Sequence, residues 1–198
     1  SDGSDQVRLA EMPDFNASFS YSADSTKVIY IKNGNIWRVN ADGTSNTEVL
    51  DLPEEIRLPK YSPDDTKIVF VYQSKLWTMD PDGTNPADLG MNEYTEQFDL
   101  SPDGSKIAFG SNSEIFTINY DGTNETKIID DDSEGYYLAN PKYSPDGTKL
   151  LMTCQGINQD QWSNICTSDA NGNSFSTLMG TSSERTFPAW APNSLFRS

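Results

Sequence analysis

Short apolar runs recur along the chain at a nearly constant spacing, each led by the same polar turn. The stretches SYSADSTKVIY, KYSPDDTKIVF, DLSPDGSKIAF and KYSPDGTKLLM begin at Ser20, Lys60, Asp99 and Lys142, and AWAPNSLF, from Ala189, is a worn copy. Aligned, they place Tyr21, Tyr61, Leu100, Tyr143 and Trp190 at one position, with spacings of 40, 39, 43 and 47 residues. A period of about 40 to 45 residues built from short strands predicts a β-propeller, with one four-stranded antiparallel blade per repeat. Helical repeats of that length need apolar residues at i, i+3, i+4 and i+7, and the chain has no such stretch.

Each repeat reads as strands A to D. In the second, A is RLPKYS (57–62), B is TKIVFVY (66–72), C is SKLWTMD (74–80) and D is NPADLG (85–90). The Ser-Pro-Asp-Gly between A and B is type I turn chemistry: proline presets φ at the second position, aspartate suits the third and glycine relieves the fourth. Asp64, Asp103 with Gly104, and Asp146 with Gly147 are its copies. Between C and D stand hairpin pairs containing Gly43, Gly83 and Gly122, with Asn171-Gly172 in the fourth repeat. Strand C carries an aromatic at one place, Trp37, Trp77 and Phe116, replaced by Cys166 in the fourth copy. Such a residue is expected to wedge between blades as core.

The pairing of a Ser-Pro-Asp-Gly turn with a later Asp-Gly turn, as in FDLSPDGSKIAFGS followed by EIFTINYDGTNETKII, resembles the WD40-like (PD40) repeat of the TolB family of propellers. The resemblance covers about residues 5–192. It implies a six-bladed propeller outside the bacterial cytoplasm that binds other proteins, with no catalytic residues to carry over. The chain departs from that pattern in blade number. It is read as one propeller domain, 1–198, with blades at 17–50, 57–90, 96–129 and 139–179. A split blade takes its outer strand from 1–16 and its inner strand from 186–198. The ring is then five-bladed if it closes on itself, or part of a larger propeller. No signal peptide is visible, and the chain begins at SDGSDQ inside a recognisable turn, as expected if a leader was removed or a longer chain was cut.

Successive connections of a meander alternate ends, so A–B and C–D turns share one rim while B–C and D–A loops share the other. The first rim is uniform. The second varies: its D–A loops are DLPEEIR, GMNEYTEQ, DDDSEGYYLAN and GTSSERTF, and its longest B–C loop is CQGINQDQWSN. Variable loops on a rigid scaffold are where binding concentrates. Tyr94, Tyr136, Tyr137, Trp162, Arg57 and Arg185 are the candidate anchors, because these residue types dominate binding hot spots, with Glu55, Glu96 and Glu184 beside them. The bland reading of each aromatic is that it caps its own blade.

Thirty acidic against fourteen basic residues give a net charge of −16, which disfavours nucleic acid and anionic lipid and suits solubility or a cationic partner. No apolar run approaches the roughly 18 residues that span a bilayer, so the chain is expected to be soluble. Calcium, which takes about six to eight oxygens, could use the acidic run at 129–135 or DPDGTN at 80–85. The latter lacks a later glutamate, and its copies mark it as an ordinary C–D turn, so no cofactor is assigned. Cys154 and Cys166 are the two cysteines, at diagonal positions of one hairpin; a disulfide tying down the long loop and a pair of buried thiols both fit. Zinc would need further ligands. Asn16 and Asn124 head glycosylation triplets, which arise often by chance in such a composition.

The chain has no histidine, which removes Ser-His-Asp and Cys-His catalysis. No nucleophile elbow, phosphate loop or dinucleotide fingerprint is present. An enzymatic role would be that of a glycosidase using two carboxylates about 5 to 10 Å apart, from among Glu55, Glu96, Asp99 and Glu184. The sialidase Asp-box is not met, and known propeller glycosidases do not carry this turn. The repeat also suits the propeller of a larger peptidase, or a module of a cell-surface or S-layer-like assembly. The features together favour a non-catalytic, extracytoplasmic propeller (periplasmic, cell-surface or secreted). It binds a protein partner, or else a carbohydrate, through its variable rim, without nucleic acid and without membrane insertion.

Overall fold

A computed structural model describes residues 9, 18–95, 97–130, 136–156 and 164–180. The described residues form β-strands and no helix. The strands are β1 (Phe19–Tyr21), β2 (Lys27–Lys32), β3 (Asn35–Asn40), β4 (Thr47–Leu50), β5 (Ile56–Tyr61), β6 (Ile68–Tyr72), β7 (Lys75–Met79) and β8 (Ala87–Asp88). They continue as β9 (Phe98–Leu100), β10 (Lys106–Ser111), β11 (Glu114–Asn119), β12 (Thr126–Ile129), β13 (Tyr136–Tyr143), β14 (Lys149–Gly156), β15 (Asn164–Asp169) and β16 (Ser176–Gly180). Each run of four consecutive strands makes one antiparallel sheet, a propeller blade, in simple meander order. The chain divides into two compact units, Ser1–Leu89 and Gly90–Ser198, with two blades in each. Apart from Leu9, the segments read as the split blade lie outside the described residues.

Alternation along each strand sends side chains to both faces, and packing of neighbouring blades buries them. In the first unit Ile29, Ile31, Ile36 and Leu50 of one blade meet Ile68, Phe70, Tyr72 and Met79 of the next, with Trp77 wedged against them. β6 has both faces covered and is buried along its whole length. Each such side chain contributes about 1.5–3 kcal/mol when removed from water. In the second unit Ala108, Ile115 and Ile129 pack on Leu150, Met152, Cys154 and Cys166. On the outer face of the first blade, Val28, Tyr30 and Val39 are covered by Leu9 and Trp37.

The A–B turns are small hydrogen-bonded cages. Ser22, Ser62, Ser101 and Ser144 donate their hydroxyls to the carboxylates of Asp24, Asp64, Asp103 and Asp146 at 2.6–2.7 Å. The same carboxylates accept the backbone N–H of Thr26, Thr66, Ser105 and Thr148. The fourth turn residue is left-handed in each of the four described copies: Ser25 (φ 58), Asp65 (φ 58), Gly104 (φ 70) and Gly147 (φ 72). The non-glycine Asp65 makes a bond between blades, accepting the N–H of Ala23 at 2.7 Å and of Asp24 at 3.2 Å.

The C–D glycines have a different use. A Cβ on Gly83 (φ 90) would fall on the carbonyl oxygen of Val49, and one on Gly172 (φ 86) on that of Ile128. In both units, therefore, the C–D turn of one blade packs directly on the outermost strand of its neighbour. Arg38 adds a hydrogen bond to the Pro81 carbonyl at 2.7 Å in the same region.

Two inner strands are bent. Leu58 (φ 53) and Asn140 (φ 55) precede Pro59 and Pro141 and shift the register between Arg57 and Lys60 and between Ala139 and Lys142. The bulges let β5 and β13 run on past the proline toward the B–C rim. Cys154 and Cys166 form a disulfide, with Cα atoms 5.9 Å apart. Cys154 pairs with Asn164 and Cys166 with Met152, so the two cysteines are diagonal neighbours on one face.

Candidate binding rim

The inner strands enter the rim with one repeated pattern of exposure. At equivalent positions Ile56, Thr95 and Leu138 are buried, and the residues just before them, Glu55, Tyr94 and Tyr137, are exposed. Tyr94 is 65% exposed and Tyr137 37%, against 7–8% for the inner-strand tyrosines Tyr61 and Tyr143. Burial of one residue and projection of its neighbour is the period of two of an extended chain continued into the loop.

Clasps hold these entries. In the first unit the Ile56 N–H donates to the Gly34 carbonyl, in the B–C turn of the preceding blade, at 3.0 Å. Gln73 Nε2, in the B–C turn of the same blade, donates to Glu54 Oε1 at 3.1 Å. In the second unit both clasps meet at one turn. Glu93 Oε2 accepts the Ser111 hydroxyl at 3.2 Å and Asn112 Nδ2 at 3.1 Å. The Leu138 N–H donates to the Ser113 carbonyl at 3.0 Å. Tyr94 follows Glu93 and Tyr137 precedes Leu138, so the two exposed tyrosines flank the single turn Ser111–Ser113. That turn is tight, with Asn112 and Ser113 both left-handed (φ 48 and 71). Glu125 completes the frame by accepting the N–H and Nδ2 of Asn92, both at 2.8 Å.

The electrostatics around this turn are acidic. Glu93, Glu114 and Asp130 sit at the ends of the strands and loops that meet there. Lys127 is bound by Asp130 and by Glu114, each at 2.8 Å, and hydrogen bonding to those carboxylates holds its ammonium well above the ordinary lysine range.

The residues singled out from sequence separate here. Glu55 of the first unit and Tyr94 and Tyr137 of the second are exposed, and Arg57 is half-buried in β5. Tyr136 is half-buried, in the capping position that the sequence also allowed. Its ring lies 5.7 Å from Phe175 against the core between the two blades of the second unit, and its hydroxyl accepts from Thr177 Oγ1 at 3.2 Å. Trp162, Arg185, Glu96 and Glu184 lie outside the described residues, as do Asn16 and Asp131–Gly135 of the acidic run. Asp99 accepts the Tyr143 N–H at 3.0 Å and faces Lys142 Nζ at 3.4 Å, tying two inner strands together. In DPDGTN, Asp80 binds Lys67 and Asn85 Nδ2, each at 2.6 Å, and Asp82 holds Thr84. Among the described residues no cluster of three or more metal-ligating side chains occurs. Asn124 is exposed in its turn. Sequence reasoning missed Asn112, Ser113 and the clasping glutamates. The available signal was that Glu54 and Glu93 occupy the same place in successive repeats.

A family model described as the TolB beta propeller domain matches residues 1–196. No curated protein matches the chain. Among solved structures it is similar to a putative TolB from Agrobacterium tumefaciens, at 20% identity and a TM-score of 0.66, over 85% of this chain and 68% of that one. It is similar to TolB from Acinetobacter baumannii at 17% identity and a TM-score of 0.68, over 83% and 43% of the respective chains. An oligogalacturonate lyase in complex with manganese is similar at 14% identity and a TM-score of 0.64, over 82% of this chain and 52% of that one. The chain thus spans between about two fifths and two thirds of the length of these relatives in fold.

Proposed function

The chain belongs to the TolB beta-propeller family, and from that premise we propose that it is a non-catalytic, extracytoplasmic scaffold that binds a protein partner through its B–C and D–A rim. The observation that carries the proposal is the repeated, clasped exposure of Glu55, Tyr94 and Tyr137 at the entries of the inner strands. Burying a tyrosine already held by its loop costs little conformational entropy and removes a large apolar ring from water. Two structural relatives being named TolB supports a protein partner and a location outside the cytoplasm. No helix among the described residues is long and apolar enough to cross a membrane.

A carbohydrate partner is the second reading, favoured by the similarity in fold to oligogalacturonate lyases. The deciding experiment is an affinity capture from the envelope fraction of the source cell, with wild type beside Y94A/Y137A. We expect a protein retained by wild type and lost by the variant. Equal retention by both removes the rim from the account, and wild-type binding to a glycan array with no protein captured moves the assignment to carbohydrate.

A further inference from the structure

Resting on the rim-binding reading, we propose that Tyr94, Tyr137 and the turn Ser111–Ser113 between them form a recognition site for a lysine- or arginine-bearing segment of the partner protein. Three features of the second unit lead to that chemistry. First, both tyrosines are exposed and flank one turn, which holds Glu93 through Ser111 and Asn112 and holds the Leu138 N–H through the Ser113 carbonyl. The rings are presented from backbone already fixed, so binding need not order a loop.

Second, the charges bordering the turn are complementary to a cation. Glu93, Glu114 and Asp130 lie around it, and Lys127 is already bound to two of them. The whole chain adds a field of the same sign, at a net −16. Such a field draws in cationic segments and repels acidic ones and phosphate backbones. Third, the faces of exposed tyrosine rings attract ammonium and guanidinium groups, which carboxylates alone would hold only as screened surface pairs. A cationic side chain over one ring, with its neighbours meeting the carboxylates, uses both. An anionic segment is repelled by the carboxylates, and a purely apolar one leaves them without a partner.

The test is a fluorescence-anisotropy titration of the full chain with a labelled peptide alternating lysine and serine, and with its glutamate–serine counterpart. Wild type, Y94A/Y137A and Y94F/Y137F are compared at matched ionic strength. None of these substitutions changes the net charge, so general attraction between an acidic protein and a polycation is the same in all three. We expect the lysine peptide to bind wild type, to weaken about tenfold or more in Y94A/Y137A, and to keep most of its affinity in Y94F/Y137F, which retains the ring faces. The glutamate peptide should not bind. Equal affinity for wild type and Y94A/Y137A would mean bulk attraction only and overturns the site. A Tyr-to-Phe loss as large as the Ala loss overturns the stacking role. No lysine-peptide binding, beside envelope capture that does depend on Tyr94 and Tyr137, overturns the cationic partner while leaving the rim reading in place. Thermal melts of each variant confirm that exposed substitutions left the fold intact.

Discussion

At the scale of single residues, the turns hold most of the unusual chemistry. Accepting the Ser144 hydroxyl first, then the N–H and hydroxyl of Thr148, lowers the Asp146 carboxyl to about 2, and the same partners around Asp24 lower it to about 2 as well. Asp64 and Asp103 are lowered by the matching serines, Ser62 and Ser101. A depressed carboxyl stabilises the fold above its unfolded pKa, and the contribution is lost as pH falls through the folded value. The expected outcome is a melting temperature little changed by these groups from neutrality to about pH 4 and falling as pH drops toward about 2. Calorimetry across that range, with Ser144→Ala to weaken one cage, checks it; a Ser144→Ala profile parallel to wild type below about pH 4 would refute the link.

The glycines give a second residue-scale test. Gly104 and Gly83 are both left-handed, but a Cβ at Gly104 meets nothing within 4 Å, whereas at Gly83 it strikes Val49. Gly104→Ala is expected to cost about 1 kcal/mol, from the conformation alone, and Gly83→Ala at least about twice that, because backbone must move as well. Urea denaturation measures both; similar losses would show that the close approach relaxes freely. Both glycines were legible in sequence as turn glycines. The different duty of Gly83 was not, since it depends on a strand of another blade.

At the scale of elements, strands B and C were the most legible, because their apolar runs are long and bounded by turns. β13 begins at Tyr136, inside the stretch DDDSEGYYLAN that reads in sequence as a D–A loop. A left-handed Asn140, with its Nδ2 bonded to Thr153 Oγ1 at 3.1 Å, forms a bulge through which the strand continues. The blades also differ in how B joins C. Tyr30–Trp37, Phe70–Trp77 and Phe109–Phe116 face each other across the first three, and the last pair stacks with centroids 5.4 Å apart. The fourth has Met152 opposite Cys166, with the disulfide beside it. Opening a loop of this size is worth roughly 2–3 kcal/mol. C154A/C166A should lose about that much stability without changing the other blades' cross-strand pairs. Hydrogen exchange would locate the loss in β14 and β15, and a uniform loss across both units would contradict a local staple.

At the scale of the whole molecule, sequence conveyed the repeat, the four-stranded antiparallel blade and the acidity, and the match of the family model over residues 1–196 carries the family assignment. It did not convey the shared turn at Ser111–Ser113, because that contact joins residues from three separate segments. The acidity gains a location from it. Glu93 is fixed in place by the neutral donors of Ser111 and Asn112, so its negative charge is held rather than diffuse. The capture and peptide experiments therefore address one surface from two directions, partner identity and partner charge.

In the four blades among the described residues the A–B pairing sets the same register: Tyr21 opposite Val28, Tyr61 opposite Ile68, Leu100 opposite Ile107 and Tyr143 opposite Leu150. The cage that fixes it closes within six residues, from serine to the lysine N–H that returns to the serine hydroxyl. Loop-closure entropy for so short a segment is small and is the same for every blade. The contacts that align a blade are thus nearly independent of chain length, and only docking between neighbours spans a longer stretch of sequence. A chain of such repeats can lengthen by duplication without its alignment becoming harder to find.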